Sequence, residues 1–393
     1  MCASSRIPVN PEILIWARKQ FNMSTGSVAD RAGLKEKQII AWENGTESPT
    51  YRQLENLAYK VYLKPIEIFF YPLPPEMPKP DVKLRAFYGE YSLDTPTDIL
   101  LVMNQAEIMQ NNLRDLCRGQ NPSNNLITHK IFDGSLKDCS KRVRECLSAP
   151  LDEQIQLSDY YAALKYWRGK LADAGIYIFK ENFKNISYSG FCLDDPEFPI
   201  IYLNSEMPPQ RQIFTIFHEL YHLLKKKSGI DFMDDERIIP KFAPSIQQIE
   251  KKCDEFASEF LVPSDDFIQT INNLKIKEIL EYDNYSDVMN NCIKPLKRRY
   301  VVSHDMIVLK LINTGYISSS DYHRFKSPES KTKKSSGGPD YYTTTVSHLG
   351  EPYINLVREK QVEYGFENYL AAEFMGVKTK SLEGIEKKLR GAK

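Results

Sequence analysis

The stretch Ile213-Phe-Thr-Ile-Phe-His-Glu-Leu-Tyr-His-Leu-Leu224 decides how this chain is read. It is strongly apolar, yet it carries two histidines four residues apart, His218 and His222. On a helix, residues four apart lie on one face, so both imidazoles can address a single ion. The spacing therefore predicts a zinc-binding helix over about 210–226. Glu219 lies beside that face, where it can serve as a base without ligating the metal. A zinc ion lowers the pKa of a bound water to about 7 and polarises a carbonyl, which suits peptide hydrolysis. The bland alternative is an accidental pair of core histidines. With six histidines in 393 residues, such a match arises on the order of once in a hundred sequences.

A catalytic zinc keeps three protein ligands and one open position. The third ligand is sought on a second helix, predicted over 245–261 and stopped by Pro263. Its candidates are Glu250, Asp254, Glu255 and Glu259. Glu250 and Asp254 share a face that Ala257, Ser258 and Leu261 continue, whereas Glu255 and Glu259 point about 100° or more away. A plain charged helix surface is the alternative for each of them.

Three strand-like runs precede the histidine helix, at 175–179, 186–193 and 198–203. The last of these, which leads into the helix, is expected at a sheet edge where an extended substrate can pair. Helical patterns fill most of the remainder, so the fold class is mainly α with a small β-sheet (α+β). Four regions are expected: 1–75, a helix-turn-helix domain; 76–164, a helical connecting region; 165–315, the zinc domain; and 341–393, a small helical C-terminal unit. Proline-rich residues 71–80 and the Ser, Lys and Gly-rich residues 326–340 read as linkers.

In the N-terminal region, Ser24 is placed to cap a helix that Gly33 ends, and a second helix follows to Glu43. Lys35, Lys37 and Gln38, at the start of this second helix, are the candidate DNA contacts, with Gln38 suited to adenine. Over residues 1–70, nine basic residues face seven acidic ones. That small excess offers little phosphate neutralisation, so docking to a protein partner is the competing reading.

The whole chain holds 52 basic and 52 acidic residues, so net charge argues neither for nucleic acid nor for a membrane surface. Seven scattered cysteines without a CxxC pair read as reduced thiols. No apolar run approaches a membrane span, and a cytoplasmic location is expected. His129, His304, His323 and His348 lack ligand spacing. Tyr202, Tyr221 and His304 are candidates for stabilising an oxyanion, each with a structural role as the alternative.

The stretch Arg211-Gln-Ile-Phe-Thr-Ile-Phe-His-Glu-Leu-Tyr-His-Leu-Leu224 resembles the "R-x-x-F-T-x-x-H-E-x-x-H" helix of ImmA/IrrE-type metallopeptidases. Glu250-Lys-Lys-Cys-Asp-Glu-Phe-Ala-Ser-Glu-Phe-Leu-Val-Pro263 is similar to that family's "E-x-x-C/A-N-x-F-A-x-x-L-L-M-P" segment. Asp254 here replaces the usual Asn. Asn204 matches the family's substrate-side "I-x-x-N". The resemblance covers about 165–315 and implies a gluzincin-like fold, Zn2+ as cofactor, and Glu250 as the third ligand beside His218 and His222. It further implies a zinc endopeptidase that cleaves a specific regulatory protein, such as a helix-turn-helix repressor. Residues 10–70 resemble Cro/repressor-type (XRE) modules, which often act as homodimers. The alternative is a non-proteolytic DNA-binding regulator or antitoxin, whose zinc fold holds a cognate toxin.

Overall fold

The computed structural model describes residues 5–76, 95–226, 230–232, 244–276, 278, 288–318, 325 and 340–391. Residues 77–80 of the proline-rich linker and 326–339 of the Ser/Lys/Gly-rich linker, together with Cys2 and His323, lie outside the described residues. The chain divides into two compact units, Met1–Met109 and Gln110–Lys393. Mainly helical structure with one small sheet agrees with the composition of its motifs.

The first unit contains α1 (Pro11–Gln20), α2 (Thr25–Ala32), α3 (Glu36–Glu43), α4 (Tyr51–Asn56) and the start of α5 (Thr97–Leu116). Helix starts are set by side-chain caps. Asn10 accepts the Glu12 amide at 3.0 Å, and Ser24 accepts the Ser27 amide at 3.1 Å. Gly33 ends α2 at φ 66°, a left-handed conformation that costs glycine nothing. Arg18 holds α1 to the end of α3 through two hydrogen bonds to the Glu43 carboxylate, at 2.7 and 2.8 Å. Ile13, Val28, Ile39, Trp42, Leu54 and Phe69 form the core that these helices enclose.

The second unit is built on four strands, β1 (Tyr177–Glu181), β2 (Tyr188–Leu193), β3 (Ile200–Asn204) and the short β4 (Ile230–Phe232). Their order is β1-β3-β2-β4, with β1 parallel to β3 and the other pairs antiparallel. This corrects the expectation of an edge strand before the histidine helix. β3 is hydrogen-bonded on both sides, and every one of its residues is buried. The purely apolar run from Ile200 to Leu203 suits such a doubly covered strand better than an edge.

The helices of this unit are α6 (Leu136–Cys146), α7 (Tyr160–Asp173), α8 (Pro209–Leu224), α9 (Pro244–Leu261), α10 (Ser264–Asn273), α11 (Lys294–Tyr300) and α12 (His304–Asn313). Four more, α13 (Tyr341–Leu349), α14 (Glu351–Tyr364), α15 (Asn368–Phe374) and α16 (Leu382–Gly391), form the C-terminal part. α8 lies against β2 and β3 on one side and α9 on the other. Trp167 of α7, Phe217 of α8 and Phe260 of α9 meet in one aromatic cluster; the Phe217 and Phe260 rings stack at 4.1 Å. The C-terminal part is not a detached tail. Tyr353 sits edge-on to Phe179 of β1 at 5.0 Å, and Arg168 of α7 donates to the Ser347 carbonyl at 2.7 Å.

The end of α9 is held by two buried side chains. Arg144 donates to the Phe260 carbonyl at 2.6 Å, and Gln154 donates to the Leu261 carbonyl at 2.9 Å. These bonds satisfy carbonyls that the last turn of a helix leaves open. On the opposite flank, Gly190 of β2 lets α8 approach closely. A Cβ there would stand 2.6 Å from Cγ2 of Thr215 and 2.7 Å from the Tyr202 carbonyl oxygen. Gly190→Ala is therefore expected to destabilise the second unit by about 1–3 kcal/mol, read as a lower midpoint in chemical denaturation. An unchanged midpoint would show that α8 does not press on β2 at this point.

Candidate metal centre

His218 and His222 lie one turn apart on α8, and both are buried, as is Glu219 between them. Glu250 enters from α9 and is also buried. Its carboxylate lies 3.2 Å from His218 Nε2 and 3.5 Å from His222 Nε2. Each oxygen thus addresses a different imidazole. Neighbouring donors on a tetrahedral zinc with bonds of 2.0–2.1 Å are about 3.3 Å apart, so these separations match a shared ion.

Asp254 stands one turn further along α9, and its Oδ1 lies 2.9 Å from Nδ1 of His218. A carboxylate only accepts, so Nδ1 carries the proton and Nε2 presents a lone pair. Two imidazole lone pairs and a carboxylate then converge, a donor set that suits a cation and excludes an anion. Burial opposes ionisation of Glu250, but His218 and His222, when protonated in place of a bound cation, outweigh it with their hydrogen bonds and charges. They hold its carboxyl well below the usual carboxylate range.

Cys253 also offers a donor here: its sulfur and one nitrogen of each histidine all lie within 4.8 Å of one another. The closer approach of the Glu250 oxygens makes the carboxylate the better third donor. Zinc fits either set, and thiolate would close the site more tightly than carboxylate.

The remaining sequence candidates separate cleanly. Glu259 accepts from Lys310 at 2.8 Å and from the Ser264 amide at 3.0 Å, an internal pairing away from the histidines. Glu255 faces Lys251 at 3.8 Å on the outer side of α9. Tyr202 is buried between Phe179 and Phe191, and Tyr221 packs on Phe256, so both are core residues. His304 is bonded to the Phe325 carbonyl, and His129 to the Pro196 carbonyl at 2.7 Å. Asn204 is fully buried. It accepts the amides of Phe183 and Glu206 and donates to the carbonyls of Asn185 and Tyr188. Its side chain braces the loops around β3 and does not face a substrate.

Lys35 and Lys37 are exposed at the start of α3, while the Gln38 side-chain oxygen accepts the Lys35 amide at 3.2 Å. Gln38 thus caps its own helix. Asp254 was within reach of sequence reasoning only as a rival ligand to Glu250. The four-residue spacing put both on one face, but not on opposite nitrogens of one imidazole.

A buried His/His/Glu set spanning two packed helices, with a second carboxylate orienting one imidazole, fits a metallopeptidase-type domain. In agreement, residues 171–311 match the family model of the IrrE N-terminal-like domain, Peptidase_M78. The matched span begins in α7, contains both metal-site helices and ends in α12. No curated protein and no solved structure matches the chain. Among the described residues, no helix is long and apolar enough to cross a membrane.

Proposed function

We propose that the chain is a zinc-dependent endopeptidase that cuts a specific regulatory protein, with His218, His222 and Glu250 as ligands. The observation that carries this reading is the Glu250 carboxylate set between two imidazole nitrogens, at 3.2 and 3.5 Å. Zinc, when bound, supplies Lewis acidity toward a carbonyl and lowers the pKa of water. The chain's own residues do the rest. Asp254 fixes the His218 tautomer, so that Nε2 is always the donor. Glu219 is buried beside the pair and takes a proton at its carboxylate, then returns it to the leaving amine. The apolar packing of α8 and α9 excludes bulk water around these groups and strengthens their interactions.

α2 and α3 of the first unit are read as a helix-turn-helix that directs the peptidase to DNA or to its protein target. Lys35 and Lys37 would contact phosphates, and Gln38 would hold the helix start that presents them. A repressor-like protein is the substrate class that such an arrangement favours.

Metal analysis of the purified protein is expected to find about one zinc per chain in the wild type. His218→Ala and Glu250→Ala should lose it, and Asp254→Ala should bind it roughly 10–100-fold more weakly. Glu219→Gln should keep zinc and lose cleavage of a repressor-like substrate. Cleavage retained by the metal-loaded Glu219→Gln protein would contradict the assigned base. A wild type that holds no zinc would leave a regulator or antitoxin built on a peptidase fold.

For the first unit, the expected result is DNA affinity that falls with salt, with a log–log slope reduced by about one in each of Lys35→Ala and Lys37→Ala. Slopes identical to wild type would instead assign α3 to a protein partner.

A further inference from the structure

A cavity of about 740 Å³ lies between α7, β1 and the C-terminal helices α13 and α14. None of His218, Glu219, His222 or Glu250 lines it. Its volume falls in the range of small-molecule sites. Besides Lys165, which is paired with Glu351, two cations reach it, Arg168 of α7 and Lys180 of β1.

Neither cation has an acidic partner among the described residues. Arg168 is about 93% buried (7% exposed) and donates only to backbone carbonyls, those of Ile178, Ser347 and His348. Its Nε has no partner among the described residues. Lys180 is half-buried and faces Arg168 as its charged neighbour. Two neighbouring cations withdrawn from water without a counter-charge are costly, and an anion between them removes that cost.

Three acids also line the cavity, and their positions restrict what fits. Glu351 is already paired with Lys165 at 2.7 Å. Asp173 and Glu359 also line the cavity, beside Tyr177 of β1. The cavity therefore carries acids as well as the two unpaired cations. A polyanion would meet repulsion from these acids.

We propose that this cavity is a binding site for a small organic ligand with one anionic head, a carboxylate or a phosphate, and a neutral or cationic remainder. The head sits against Lys180 beside Arg168, and the remainder extends toward Asp173 and Glu359. The lowered basicity of both cations accords with this. Burial, followed by the Arg168 charge, lowers the Lys180 ammonium to about 8, and burial lowers the Arg168 guanidinium to about 10. Because α13 and α14 form one wall and the β1 edge the other, a bound ligand would also fasten the C-terminal helices to the sheet.

The test uses the full chain with inorganic phosphate, triglycine and citrate as probes, at matched ionic strength. Phosphate or triglycine is expected to raise the thermal unfolding temperature, and citrate to have less effect. A response to phosphate alone assigns a phosphate head, and a response to triglycine alone assigns a carboxylate. Lys180→Met should weaken the effective probe by about tenfold or more, the size of one buried charge-assisted hydrogen bond. A second readout needs no variant. Lys180 should acetylate faster than exposed lysines near pH 8, and the effective probe should slow that modification, as mapped by mass spectrometry. Absence of any phosphate or triglycine effect on the wild type overturns the proposal. So does a Lys180→Met protein that binds as well as wild type, or acetylation at Lys180 that no probe slows.

Discussion

Two imidazoles and a carboxylate can share one ion only while the helices that carry them keep a fixed separation and rotation. In this chain that constraint falls on the packing of α8 against α9. The stacked rings of Phe217 and Phe260 lie at the same interface as the candidate metal donors, with Trp167 closing the cluster from α7. Interiors packed at crystal-like density transmit small displacements, so the aromatic contact fixes the distance across which Glu250 meets His218 and His222. At the end of α9, Arg144 and Gln154 tie its last carbonyls to the helical region before it, which resists rotation of the helix. The sheet does the same from the other side through Gly190, where a bare Cα permits the close approach of Thr215.

Much of this arrangement is legible in the sequence because it is local. Helical periodicity fixes which residues share a face, and that places His218 with His222 and Glu250 with Asp254. Caps were legible for the same reason, since Ser24 and Gly33 act on residues within the same turn. β1, β2 and β3 were found by composition to within a few residues, as were both candidate metal-site helices, whereas the short β4 was not.

What escaped depends on contacts between distant segments. The position of β3 in the middle of the sheet follows from a parallel pairing with β1, which no pattern within residues 198–203 encodes. Its unbroken apolar character was a usable signal that went to the wrong conclusion. Asn204 looked substrate-facing by resemblance, yet its hydrogen-bonding capacity is consumed by four backbone groups of the surrounding loops. Asp254 in place of Asn preserved what matters at that position, an oxygen that accepts from His218 Nδ1. Arg168 and Lys180 carry no motif at all. They stand out only because the fold buries one, half-buries the other, and gives neither an acid among the described residues.

The central claim is that one cation is held by His218, His222 and Glu250 across the α8–α9 interface. X-ray anomalous scattering at the zinc absorption edge, from crystals of the zinc-loaded full chain, tests it most directly. The account predicts a single strong peak about 2.0–2.1 Å from both Nε2 atoms, with a Glu250 oxygen completing the protein donors. A peak held by Cys253 with Glu250 turned away would contradict the assigned ligand set. No peak at the histidine pair would contradict the metal centre itself.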